Sequence, residues 1–197
     1  DTGSALLPVG TTLQEDTPGV KGAIRFDDDA DELKINNGAD WVPIKKKLRA
    51  TLSAASGGVL VEHNTVPDNI DAIDLVFDNV SLNGAGHVLV QIGPTAAIAN
   101  TGYADCRAHA ISSSSFATDT STAGFVVRIN SAARQISGMM ELRRISGNEW
   151  SAVGHFTASD IILTCTGTKD LAADQLTRVG IIPSAGNFDG GDVSVYY

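Results

Sequence analysis

The sequence predicts an all-β protein: an antiparallel β-sandwich of jelly-roll topology, preceded by an extended N-terminal arm and a β-hairpin. Three observations carry this. Apolar residues recur with period two in short runs, as in strands with one buried and one wet face. Turn-forming residues separate the runs, among them Asn83-Gly84, Ser146-Gly147-Asn148 and Asp189-Gly190-Gly191, at the spacing of a sandwich. Helix signals are thin, the best being 171–176, one turn's worth and too short to stand by propensity.

Taken in order, residues 1–20 are punctuated by Gly, Thr and Pro without a sustained period and read as an arm. In the hairpin, Ile24 and Phe26 alternate with Ala23 and Arg25, an acidic turn follows, and Leu33 and Ile35 alternate with Glu32 and Lys34. Asn36-Asn37-Gly38 then closes a second turn before Trp41. A basic cluster, Lys45 to Lys47 with Arg49, completes a first module of residues 1–50 and reads as a solvated segment between modules. Residues 51–57 are a small-residue linker, and residues 58–197 form the sandwich domain. Its candidate strands are 59–63, 70–80, 87–93, 107–112, 124–130, 135–145, 149–157, 160–168, 175–182 and 192–197. Ile73, Leu75 and Phe77 share one face of the second run, Phe125, Val127 and Ile129 one face of the fifth, and Trp150, Ala152 and Phe156 one face of the seventh.

At 197 residues and 43% hydrophobic content the chain has enough apolar mass for a core. Its net charge of −9 opposes nucleic-acid binding, which needs clustered Lys and Arg. Residues 1–50 hold seven basic and nine acidic residues, leaving seven and fourteen for the rest, where Lys169 is the only lysine. No apolar run approaches the roughly 20 residues of a membrane span, and the first residues lack the basic start and apolar block of a signal peptide. Neither a nucleic-acid partner nor membrane insertion is expected.

The side chains that could carry chemistry read mostly as ordinary surface or core. Asp27, Asp29 and Asp31 alternate as calcium ligands do, but no glycine and distal glutamate follow at loop spacing, so a solvated acidic turn is expected and no metal. His63, His87, His109 and His155 form no zinc-type pair. Ser112 to Ser115 lack the Gly-x-Ser-x-Gly elbow and read as a polar loop. Cys106 and Cys165 stand alone in strand-like runs and read as free thiols. No cofactor and no catalytic residue is expected. For carbohydrate, the useful chemistry is an exposed aromatic beside amide or carboxylate acceptors. Tyr103 with Asp105 and Asn100 in a loop, and Phe116 after the serine run, are the candidate ligand-binding residues. Trp41 and Trp150 alternate with polar neighbours as core residues do.

The hairpin, Gly22-Ala-Ile-Arg-Phe26 with its acidic turn and Gly38-Ala-Asp-Trp41, resembles a recurrent segment of bacteriophage tail-fibre and spike proteins. The second half adds, in order, Val90-Gln-Ile-Gly93, Thr101-Gly-Tyr103, Ala123-Gly-Phe125, Trp150 and Phe188-Asp-Gly-Gly-Asp-Val-Ser-Val-Tyr196. It is similar to a β-sandwich domain of phage structural proteins. The resemblance implies a non-enzymatic virion-surface protein, a tail-fibre or head-spike subunit that forms a homotrimer. The first module would contact other virion proteins or drive trimerisation, and the sandwich would bind host-cell polysaccharide or another receptor. Capsid decoration is the alternative, and a polysaccharide-degrading tip enzyme a third.

Overall fold

A computed structural model describes residues 9–10, 21–27, 32–36, 38–43, 48–54, 58, 60–67, 70–159 and 161–197. Asp28, Asp29, Asp31 and Lys45 to Lys47 lie outside them. The chain divides into two compact units, residues 1–47 and 48–197.

The first unit is a four-stranded sheet in the order of the chain, β1 (Val9–Gly10), β2 (Ile24–Asp27), β3 (Glu32–Asn36) and β4 (Trp41–Pro43). β1 runs parallel to β2 and the other pairs are antiparallel. The Gly38 amide donates to Asn36 Oδ1 at 2.8 Å, an Asx turn that uses the amide side chain predicted there. Register places Ile24 opposite Ile35 and Phe26 opposite Leu33, with Arg25 opposite Lys34 on the other face. It is the polar face that is buried. Arg25, Asp27, Lys34 and Asn36 are at most 6% exposed, whereas Ile24 is 39% exposed and Phe26, Leu33 and Ile35 are half-buried. Asp27, expected on a solvated turn, instead takes a 2.7 Å ion pair from Lys34, and the Arg25 guanidinium lies 4.7 Å from the Trp41 ring centre. Buried charges persist only when paired in this way.

The second unit is an antiparallel β-sandwich. Its strands are β5 (Leu48–Ser53), β6 (Val61–His63), β7 (Ala72–Leu82), β8 (Val88–Gly93), β9 (Tyr103–Ile111), β10 (Phe116–Ser121), β11 (Phe125–Val127), β12 (Gln135–Ser146), β13 (Glu149–Ala158), β14 (Ile161–Asp170), β15 (Arg178–Pro183) and β16 (Phe188–Tyr196). One sheet has eight strands in the order β10-β9-β14-β13-β12-β7-β16-β5, the other four in the order β11-β8-β15-β6. Among the described residues there is no helix; 171–176 is a turn in which the Asp174 amide bonds Leu171 O at 3.0 Å.

The connectivity is simple once two hairpins are set aside. β9–β10 and β13–β14 both join the large sheet, and β14 pairs with β9 to knit them together. The remaining eight strands lie as β5-β16-β7-β12 in one sheet and β6-β15-β8-β11 in the other. The chain crosses between sheets at every step except β8 to β11, which are neighbours.

The core between the sheets follows the alternation. Ile73, Leu75, Phe77, Leu142, Trp150, Phe156, Val193 and Val195 are all buried at 2% exposure or less, and Phe77 meets Phe156 edge to face at 5.2 Å. Where β9 and β14 pass beneath β11, the inner positions are small: Cys106, Ala108, Cys165 and Gly167. A Cβ on Gly167 would collide with Cys106 Sγ and lie 3.0 Å from Phe125 Cδ1, so the missing side chain is what lets the sheets close.

Several stretches differ from the sequence reading: Tyr103 and Asp105, read as loop, lie in β9, and β16 runs from Phe188 through the predicted Asp189-Gly190-Gly191 turn. Residues 51–53, read as linker, are paired strand at the end of β5, with Thr51 opposite Ser194. β10 lies where no strand was predicted. β8 is buried along its whole length instead of on one face, because the loop after it folds back: the Ala99 amide bonds Ile92 O at 3.1 Å and Ile98 sits where a Gly180 side chain would be.

Candidate functional site

The β9–β10 hairpin and the chain just before it hold all four predicted site residues. β9 carries a bulge: Thr166 pairs with Arg107 and Thr168 with Ala104, so two residues of β9 face one of β14. Asp105 sits in the bulge with φ 52° and is exposed. Bulges of this kind re-aim side chains and end regular pairing. Beside it opens a depression of about 350 Å³ lined by Tyr103, Asp105, Arg107, Thr120, Ser121 and Thr122, with Cys106 in its floor. Register sets Arg107 directly opposite Thr120 and Cys106 opposite Ser121.

Tyr103 is not the exposed platform the sequence suggested. It is 3% exposed, its ring edge-on to Phe125 at 5.0 Å. Its hydroxyl accepts from the Ile92 amide at 2.7 Å and lies 3.0 Å from Ala99 O, to which it donates. Burial raises the phenol well above its ordinary range. The residue pins β9 to the loop over β8, and only part of it reaches the depression. Asp105 is beside it as expected. Asn100 is exposed in the preceding loop and does not line the depression.

Phe116 is at the far end of the hairpin. It is 65% exposed and stacks on His109 at 5.3 Å. From Phe116 to Ser121 is five residues of strand, roughly 17 Å, so the four predicted residues do not form one site. The serine run closes this hairpin as a turn, with the Ser115 amide donating to Ser112 Oγ at 3.1 Å.

Several other titratable groups serve the fold. Cys106 and Cys165 are free and buried; desolvation pushes their thiols up to about 11 and about 12, far from the thiolate a nucleophile needs. His63 bonds the Tyr197 hydroxyl at 3.1 Å, and burial lowers its pKa. Asp119 takes Arg128 at 3.0 Å and has His87 at 3.9 Å. Among the described residues no three His, Cys, Asp or Glu side chains are grouped to hold a metal ion.

The register also defines a surface the sequence did not reveal. Across the outer face of the large sheet, Thr118, His109, Thr164, His155, Met139, Val76, Ser194 and Thr51 form one continuous row over all eight strands. A second row, Phe116, Ile111, Ile162, Thr157 and Ser137, runs beside it. Neither contains Asp, Glu, Lys or Arg, and Phe116, Ile162, Met139, Ile111 and Val76 are between 37% and 65% exposed.

Compared with known proteins, the chain matches no family model, and no curated protein and no solved structure is similar to it.

Proposed function

We propose that this chain is a non-enzymatic virion-surface protein of the phage fibre or spike type, which assembles as a homotrimer and presents a glycan-binding sandwich to the host. The observation that carries the reading is the uncharged double row on the outer face of the large sheet. Two copies of a chain with net charge −9 repel one another, so a self-contact must lie where no charge is brought together. Strands about 4.8 Å apart make the longer row roughly 35 Å long, and the two rows together cover roughly 400 Å². That is the apolar centre of a contact burying about 800 Å² per partner. The next row, with Glu141 and Asp74 on it, supplies the polar rim such contacts have.

Two further features support the reading. The strand orders β5-β16-β7-β12 and β6-β15-β8-β11 support reading the sandwich as two Greek keys wound into a jelly roll. In the first unit the apolar positions are more exposed than the charged ones, as in a sheet whose apolar face meets other copies. The test is light scattering on the purified chain together with binding to host cells and to phage capsids. A trimer that binds cells supports the proposal. A trimer that binds capsids and not cells reassigns the chain to capsid decoration, a monomer at micromolar concentration overturns the assembly, and release of reducing sugar from host capsule overturns the non-enzymatic reading.

A further inference from the structure

The second unit spends its cations on its own structure, with one exception. Arg128 pairs with Asp119 at 3.0 Å, Arg143 with Glu141 at 2.7 Å and Arg178 with Glu62 at 2.8 Å, and Arg144 pairs with Asp71. Arg134 donates to Ile129 O at 3.2 Å and Lys169 to Asp170 O at 2.9 Å. Arg107 alone has neither a hydrogen bond nor an ion pair among the described residues. It is exposed, and it lines the depression beside the β9 bulge.

We infer that this depression binds an acidic sugar unit, with Arg107 taking its carboxylate. This deepens the proposed function and rests on it. A guanidinium presents a planar fork of donors that matches a carboxylate in two parallel hydrogen bonds. Thr120 lies directly across from Arg107 and Thr122 two residues on, hydroxyls able both to donate to and accept from a sugar ring. Asp105, held outward by the bulge, accepts from sugar hydroxyls on the opposite side. The Lys169 ammonium, 5.5 Å from the Tyr103 ring centre, adds positive potential at the same end. A volume of about 350 Å³ lies at the small end of ligand sites and suits one sugar unit. On a chain of net charge −9 an anionic polysaccharide meets net repulsion, so an unspent cation in a hydroxyl-lined hollow favours docking there.

The experiment uses the full chain on an array in which uronate- and sialate-bearing glycans each stand beside their carboxyl-reduced counterparts, with Arg107→Gln and wild type compared. At least one acidic glycan should bind ten-fold or more tightly than its reduced partner, and that preference should vanish in Arg107→Gln while its thermal melt superimposes on wild type. If no pair differs, or the preference survives the substitution, the inference is overturned. The outcomes also separate it from the broader reading: adsorption to host cells without carboxylate preference sinks the acidic-sugar site and leaves the surface protein standing. Failure to bind cells or capsids removes both.

Discussion

Under the proposed assembly, replacing Ile162 by Glu should convert trimers to monomers without unfolding the chain. Ile162 is 57% exposed and lies between Ile111 and Thr157 in the uncharged row. Full burial of such a side chain stabilises by about 1.5–3 kcal/mol, so covering its exposed share contributes about 1–1.5 kcal/mol per contact. A carboxylate there loses that term and adds a desolvated charge whose row neighbours offer no cation, a cost of several kcal/mol. Together, about 3–5 kcal/mol per interface weakens association roughly 10²- to 10³-fold. The fold should tolerate the change, because surface substitutions of this kind shift stability within about 0.5 kcal/mol. Sedimentation velocity at about 1–50 μM reads the outcome, with Leu60→Glu as control. Leu60 is 45% exposed, next to β6 of the other sheet. Persistent trimers in Ile162→Glu, or equal disruption by Leu60→Glu, would refute the assignment of this face.

Gly167→Ala should lower stability by about 1–3 kcal/mol through overpacking against Cys106 and Phe125, a fall of roughly 2–4 °C per kcal/mol in a thermal melt. Gly84→Ala, with nothing within 4 Å of the new methyl, should leave the melt unchanged. Tyr103→Phe removes the acceptor of the Ile92 amide and should cost about 1–3 kcal/mol, with faster amide exchange in residues 94–102. With Cys106 at about 11, about 0.1% of that thiol is ionised at pH 8, so a thiol reagent should label neither cysteine until the chain unfolds. Immediate labelling of native protein contradicts this. The unfolded thiols ionise near 9, so the native preference for the protonated form is fully present below about pH 9 and is lost as pH rises from there through about 12. The urea midpoint of wild type should fall over that range more than that of a variant with both cysteines replaced by Ala.

Most strands were legible because alternation is a local property. Ile73, Leu75 and Phe77, or Val193 and Val195, declare their buried face in five residues or fewer, whatever they pack against. β10 was not legible: its inward positions, Ala117, Asp119 and Ser121, are small or polar, so nothing alternates, and pairing to β9 makes it a strand. β5 was misread for a similar reason, since its small residues suit a linker as well as an edge strand. The candidate site divided in the same way. Asp105 and Tyr103 were within reach of sequence reasoning because they are neighbours in the chain, but the burial of Tyr103 depends on a loop that folds over a different strand. Phe116 looked close and is at the other end of the hairpin.

The sequence by itself determined that the protein is built of strands, roughly where most of them and their turns lie, and that its surface is acidic. Tertiary structure decided the strand order, the burial of charge in the first sheet, the uncharged rows on the large one, and the isolation of Arg107. The physical reason is distance along the chain. Whether an arginine is spent depends on which carboxylates the fold carries to it, and Asp71 reaches Arg144 across 73 residues while, among the described residues, none reaches Arg107.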